Sequence, residues 1–213
     1  MVEDGLKPAE HDDEIKNKNV KLTWELAFEK DSTSAVIYHS TKKQLLFVKQ
    51  FRPSVWIRSL WRLPENAGKQ LSELKVGHEK LDVGYAIELC AGILDKGLRV
   101  PLQLTVRIIQ PGLSPKEVMR EEIMEECGYK IDLDQLEDVN ASAAVQHVFY
   151  ATITEENRIE GGGGGNAEEG EIIEKVFMDI HNLEETALNL ANAPAIFHWA
   201  VLWFIANKRK LYI

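Results

Sequence analysis

Ser114-Pro115-Lys116-Glu117-Val118-Met119-Arg120-Glu121-Glu122-Ile123-Met124-Glu125-Glu126-Cys127-Gly128 reads as a helix with both ends marked. Ser114 and Glu117 have the spacing of a capping box. Pro115 falls at the first helical position, where its missing N–H is no loss, and Gly128 supplies the stop. Met119, Ile123 and Cys127 recur every four residues and predict a core-facing stripe. Glu121, Glu122, Glu125 and Glu126 fall on a neighbouring arc of roughly 140°. Like charges four apart cost a helix roughly 0.2–0.5 kcal/mol each, and only Arg120 and Lys116 stand near enough to relieve them. Two readings follow. The arc is a solvated acidic face, or it is a set of hard oxygen ligands for Mg²⁺ or Mn²⁺, ions that also grip phosphate oxygens.

Working outward, residues 34–38 and 44–48 alternate in polarity around Thr41-Lys42-Lys43 and predict a hairpin. Residues 64–84 read as a loop, and Tyr85–Leu89 as a strand ending at Ala91-Gly92. Strands are expected at about 146–153 and 172–178, with the Gly161–Gly165 run between them too flexible to hold one conformation alone. A final helix from about Pro194 to Lys208 carries Phe197, Trp199, Leu202, Trp203 and Phe204. Mixed strands with one central and one C-terminal helix indicate an α+β fold or an α/β/α sandwich. Residues 1–20 read as a mobile acidic leader and 21–213 as one domain.

The chain has 213 residues, 45% of them hydrophobic, and a formal charge of −9. That is enough apolar material for a core, and a poor balance for tracking nucleic acid, which needs clustered cations. A small phosphorylated ligand stays compatible, because a bound metal reverses the local charge. The first twenty residues lack an apolar signal region, and the run Ala195–Ala206 is too short to span a bilayer. Cys90 and Cys127 match no zinc or disulfide spacing and are expected to be reduced thiols in a cytoplasmic protein. His39, His78, His147, His181 and His198 show no ligand spacing; surface or packing roles are expected. Trp56 and Trp61 are expected in a core or a subunit contact.

Glu122-Ile123-Met124-Glu125-Glu126-Cys127-Gly128-Tyr129 resembles the second half of the Nudix box, R-E-U-x-E-E-x-G-U with U aliphatic or aromatic. Val48-Lys49-Gln50-Phe51-Arg52-Pro53 and Glu88-Leu89-Cys90-Ala91-Gly92-Ile93-Leu94-Asp95 look like the matching segments of UDP-sugar and ADP-ribose pyrophosphatases. The resemblance covers about residues 34–205. It implies a Nudix-type α/β/α sandwich with a mixed central sheet. It implies Mg²⁺, or Mn²⁺, held by Glu122, Glu125, Glu126 and the carbonyl of Ala91. The reaction implied is hydrolysis of a nucleoside diphosphate-sugar, UDP-glucose to UMP and glucose 1-phosphate first, with ADP-ribose the close alternative. The general base would come from the acidic patch Glu168, Glu169 and Glu171, with Glu171 the first choice and Glu169 the second. Arg52 would face the substrate or serve a structural ion pair. Glu88 would join substrate, metal or dimer contacts, or be the exposed side of a strand. A homodimer is implied.

Three features depart from the family pattern. Glu121 occupies the Arg position of the box, and Arg120 lies one residue early. A contiguous box would put its first glycine at Arg107, whereas Gly92 is the box glycine with residues 97–110 as an insertion. The connection from Val139 to Phe149 is short. These departures motivate a rival reading, a Nudix-fold binding or scaffold protein without useful catalysis. A decapping or nucleotide-cleaning enzyme is disfavoured by the charge balance and the upstream motifs.

Overall fold

The computed structural model describes residues 31–75, 78–94, 112–139, 146–166 and 170–213. The expected leader, the insertion 97–110, and Glu168 and Glu169 lie outside the described residues.

Strands β1 (Ser32–His39) and β2 (Gln44–Phe51) form the expected hairpin, joined by a turn in which Lys43 takes a positive φ of 54°. They pair only near that turn, from Ile37↔Leu46 to His39↔Gln44. Farther along they diverge, and the gap is filled from both sides. Strand β3 (Tyr85–Glu88) pairs antiparallel with β2, and β4 (Cys90–Ile93) pairs antiparallel with β1. Leu89 is the pivot between them. Strand β6 (Gln146–Ile153) runs parallel to β1 over its whole length, β5 (Glu137–Asp138) adds to β6, and β7 (Ile173–Asp179) adds to β2. The result is a mixed seven-stranded sheet.

Alternate side chains point to opposite faces of a strand, and here both faces are covered. Ala35, Ile37, Leu46 and Val48 pack against Met119, Ile123 and Cys127 of the box helix. Val36, Tyr38, Leu45 and Phe47 pack against Leu183 and Ala187 of α3 (Leu183–Leu188) and against Phe197, Ala200, Val201 and Phe204 of α4 (Ala195–Asn207). Burial on both faces explains why β1 reads as nearly continuous apolar sequence. This is the α+β sandwich that the pattern of elements predicts. Among the described residues no helix is long and apolar enough to cross a membrane.

Two helices are not announced by periodicity. Helix α1 (Pro53–Trp61) starts directly after β2 with Pro53 at its first position, and α3 is only six residues long. The stretch expected as loop contains three 3₁₀ turns, pinned by the buried Asn66. Its amide donates to the carbonyls of Leu60 and Lys75 and accepts from the N–H of Lys75. Trp56 tilts against Phe51, while Trp61 is largely exposed and donates from its indole to the Lys69 carbonyl. Trp61 therefore belongs to no core of this chain.

Candidate active site

The predicted capping box is present: Glu117 N–H donates to Ser114 Oγ at 3.3 Å, and the Ser114 N–H donates back to Glu117 Oε2 at 2.8 Å. Helix α2 spans Pro115–Glu122, and the coil then continues as one π turn, Ile123–Cys127, to Gly128 at φ 71°. A π turn is a local departure that recurs at functional sites. Met119, Ile123 and Cys127 are completely buried, as their spacing predicts. The acidic arc divides. Glu122 and Glu126 turn inward and are 7% and 2% exposed, whereas Glu125 is exposed.

The two inward carboxylates meet the pivot between β3 and β4. Glu126 Oε2 accepts the backbone N–H of Ala91 at 3.1 Å. A methyl group at Gly92 would collide with the Glu122 carboxylate. Gly92 thus has the close-approach role of a box glycine, despite its distance along the chain. Cys90 and Cys127, both fully buried, stand within hydrogen-bonding reach of each other beneath Glu126, and burial pushes the Cys90 thiol well up. They are free thiols.

The glycine run is ordered by its neighbours. The N–H groups of Gly164 and Gly165 donate to the carbonyls of Glu126 and Glu125 at 3.0 and 3.1 Å. These carbonyls lie in the last turn of the helical coil, where backbone acceptors find partners outside the helix. Lys175 Nζ donates to the Gly162 carbonyl at 3.2 Å, and the Ile173 N–H to that of Gly164 at 2.9 Å. Gly163, Gly164 and Gly165 have φ values of 86°, 106° and 78°, which side-chain-bearing residues rarely adopt. The run, too flexible to hold one conformation alone, is held here by its bonds to the end of the box helix, which it caps.

That cap brings Glu171 to the helix. The Glu171 N–H donates to the Asn166 carbonyl at 3.0 Å, closing the turn that carries it. Its charge is felt at Glu126, whose pKa is pushed up to about 8. Burial is the main cause; Glu122 and Glu171 add to it, and hydrogen bonds from Cys90 and the Ala91 N–H oppose it. Arg52 is held by Glu88, with Nε and Nη2 donating to Oε2 at 3.0 and 2.6 Å, and Gln50 also reaches Glu88. Burial weighs against the Arg52 cation, but Glu88, Glu126 and Glu171 together hold its pKa above the ordinary guanidinium value. Of the alternatives for Arg52, the ion pair is what the structure contains. Its Nη1 makes no hydrogen bond among the described residues.

Glu122, Glu126, Glu171, Glu88, Arg52 and Ala91 therefore converge, while Glu169 lies outside the described residues. His39 is far from this group in role: it is buried against Tyr129 and Phe177, its Nδ1 accepts the Lys42 N–H, and Nε2 faces Glu155 at 3.2 Å. That pairing of β1 with a distant turn has no sequence spacing to announce it.

A divalent cation fits this donor set. Glu126 is buried beside two other carboxylates with its ionised form disfavoured, and a cation there would offset that charge. Among the described residues no group of three or more acidic, His or Cys side chains is arranged to hold a metal ion.

No family model matches the chain. Curated proteins do. It is 31% identical over 205 residues to the uridine diphosphate glucose pyrophosphatase NUDT14 of Mus musculus, spanning 88% of this chain and 83% of that protein. The same enzyme of Bos taurus is 31% identical over 180 residues, 78% and 72% of the two chains. A GDP-mannose pyrophosphatase of Shigella flexneri is 24% identical, over 73% and 65% of the two chains. Among solved structures, an ADP compounds hydrolase superposes with a TM-score of 0.48 and 13% identity, over 84% and 75% of the two chains. The length of the match to the mammalian enzymes, together with the glutamates of the half-box turned onto Ala91 and Gly92, shows that this chain belongs to the Nudix hydrolase family and is an enzyme of that family.

Proposed function

We propose that the protein hydrolyses the diphosphate bond of a nucleoside diphosphate-sugar, with UDP-glucose the preferred substrate and UMP and glucose 1-phosphate the products. ADP-ribose is the close alternative. The observation that carries this is the convergence of Glu122, Glu126 and Glu171 with Arg52 at the β3–β4 pivot. The curated relatives, two named for UDP-glucose and one for GDP-mannose, support the substrate class.

Glu122, Glu125, Glu126 and the Ala91 carbonyl would hold Mg²⁺, with Mn²⁺ a substitute, supplying charge neutralisation at phosphate oxygens and a more acidic water. Glu171 accepts a proton from the attacking water as the new P–O bond forms, and Glu169 is the second candidate for that role. The bond from phosphorus to the bridging oxygen breaks, and that oxygen leaves on the second phosphate. Arg52, held by Glu88 through Nε and Nη2, offers Nη1 to a phosphate oxygen. Fixing the guanidinium in advance reduces the entropy lost when the substrate binds. Loop Gly161–Gly165 keeps Glu171 in register with the box helix. The partner is a small molecule, with a homodimer as the working assembly, in the cytoplasm.

Purified protein incubated with Mg²⁺ and a panel of UDP-glucose, GDP-mannose and ADP-ribose tests the proposal. Release of UMP from UDP-glucose in preference to the other products supports it. No nucleoside monophosphate from any of them at micromolar enzyme overturns it in favour of a binding protein, a reading favoured by Glu121 at the Arg position of the box.

A further inference from the structure

Thr33 of β1 carries an oxygen that the fold does not explain. The residue is fully buried, and its Oγ1 makes no hydrogen bond among the described residues. The neighbouring hydroxyl of Ser34, also buried, accepts a bond from the Gln146 amide at 3.5 Å. A buried hydroxyl without a partner is costly, and uncommon in folded proteins. Valine has nearly the same shape, suits a strand as well and carries no such cost. Packing therefore accounts for the shape of this side chain and leaves its oxygen over.

The sheet sets what faces that oxygen. Alternation puts Thr33 on the face of Ala35 and Ile37, which pack with Met119 and Ile123 of the box helix. In the antiparallel pairing of β1 with β4, Thr33 stands directly opposite Gly92. Residues opposite one another in this way share a face, with Cβ atoms about 4.5–5.5 Å apart. Gly92 has no side chain, and the Glu122 carboxylate lies in the space one would fill. Glu122 Oε1 thus takes the place of a cross-strand neighbour to Thr33, about one side-chain rotation from the hydroxyl. A hydroxyl donates, an ionised carboxylate accepts, and a bond between them is of the stronger, charge-assisted kind.

We infer that Thr33 is a positioning residue, whose hydroxyl donates to the Glu122 carboxylate and fixes the direction in which that carboxylate meets a divalent cation. The inference rests on the reading of Glu122 as a metal ligand of the hydrolytic site. A group that orients a ligand raises metal affinity without touching the metal. The cost of the unpaired hydroxyl falls on the metal-free fold, and is relieved once the ionised carboxylate turns to it.

Two variants of the whole chain separate oxygen from shape. Thr33→Val removes the hydroxyl and keeps the outline; Thr33→Ser keeps the hydroxyl and removes a methyl group. Mn²⁺ alone is titrated into each, the free ion is counted by electron paramagnetic resonance, and melting temperatures are taken in EDTA. Thr33→Val is expected to bind Mn²⁺ about tenfold or more weakly, yet to melt at or above the native temperature. Thr33→Ser is expected to keep the native affinity while melting lower, for want of the methyl contact. A residue that served packing alone would not move affinity and stability in opposite directions.

Native Mn²⁺ affinity in Thr33→Val overturns the inference. So does a joint fall of its affinity and melting temperature, an equal loss of affinity in both variants, or a native protein that binds no Mn²⁺. The hydrolase reading is judged apart from this. The expected metal pattern without hydrolysis of any nucleotide sugar keeps Thr33 in its role and removes that reading. Hydrolysis by the native protein, with unchanged metal affinity in Thr33→Val, removes the role of Thr33 alone.

Discussion

Glu126 accepts the backbone N–H of Ala91 across 3.1 Å, so a buried carboxylate of the box helix is tied to the strand pivot that fills the gap between β1 and β2. This contact and Gly92 pressed on Glu122 add to the apolar packing that seats the candidate metal helix on the sheet.

Glu126→Gln keeps the hydrogen bond to Ala91 through its amide oxygen and removes only the charge. Hydrolysis is expected to fall about a hundredfold or more, the scale of losing one strong electrostatic contact at a reacting centre. The melting temperature in EDTA is expected to hold or rise, because an uncompensated buried charge has gone. Steady-state kinetics paired with a thermal melt checks both; full activity would remove Glu126 from the metal set.

The pH dependence of the metal-free protein has a definite sign. Burial raises the folded-state pKa of Glu126 from 4.5 to about 8, so the fold favours the protonated carboxyl. A raised pKa contributes stability that is complete below 4.5 and is lost as pH rises through about 8. In EDTA the melting temperature is expected to decline across that window and to flatten in Glu126→Gln. Added Mg²⁺ is expected to restore stability most at the alkaline end, since it binds the ionised form. Melts across the pH range, with and without metal, measure this; a native EDTA profile that matches the variant's would refute it.

Gly92→Ala places a methyl group on the Glu122 carboxylate. The expected result is weaker Mg²⁺ binding, by about tenfold, the scale seen when the support of a metal ligand is disturbed. Isothermal titration with Mg²⁺ reads it directly. Unaltered affinity would mean that Glu122 is not a ligand or moves freely.

Gly164 adopts a φ of 106°, and an added methyl group would stand 3.9 Å from the Ile173 carbonyl oxygen, an ordinary contact, so it meets strain and not collision. Gly164→Ala is expected to cost about 1–3 kcal/mol of stability. It is also expected to lower kcat more than tenfold with KM little changed, if the cap positions Glu171. Equal kcat in the variant would show that the glycine cap is a folding device only.

Much of this was legible in local sequence. The capping box at Ser114 and Glu117, the stop at Gly128 and the buried stripe of Met119, Ile123 and Cys127 follow from the geometry of one helix, which three- and four-residue spacings report. The hairpin follows from two short apolar runs flanking the polar turn Thr41-Lys42-Lys43, and burial on both faces leaves those runs nearly continuous, without the alternation expected of them. Helix α1 escaped because its nine residues follow a strand directly and bury Leu60 alone. Trp61, expected in a core or a subunit contact, stands outside the core and donates its indole N–H to the Lys69 carbonyl.

The sequence by itself determined the elements, the two-faced sheet and the acidic helix, since each depends on periodicities and end signals within a few residues. Only the tertiary structure decided which carboxylates turn inward, and it chose Glu122 and Glu126 while leaving Glu125 exposed. It also decided that Arg52 is held by Glu88 and that the glycine run caps the box helix to bring Glu171 in. Those relations join residues far apart in the chain through hydrogen bonds and burial, which no local spacing encodes.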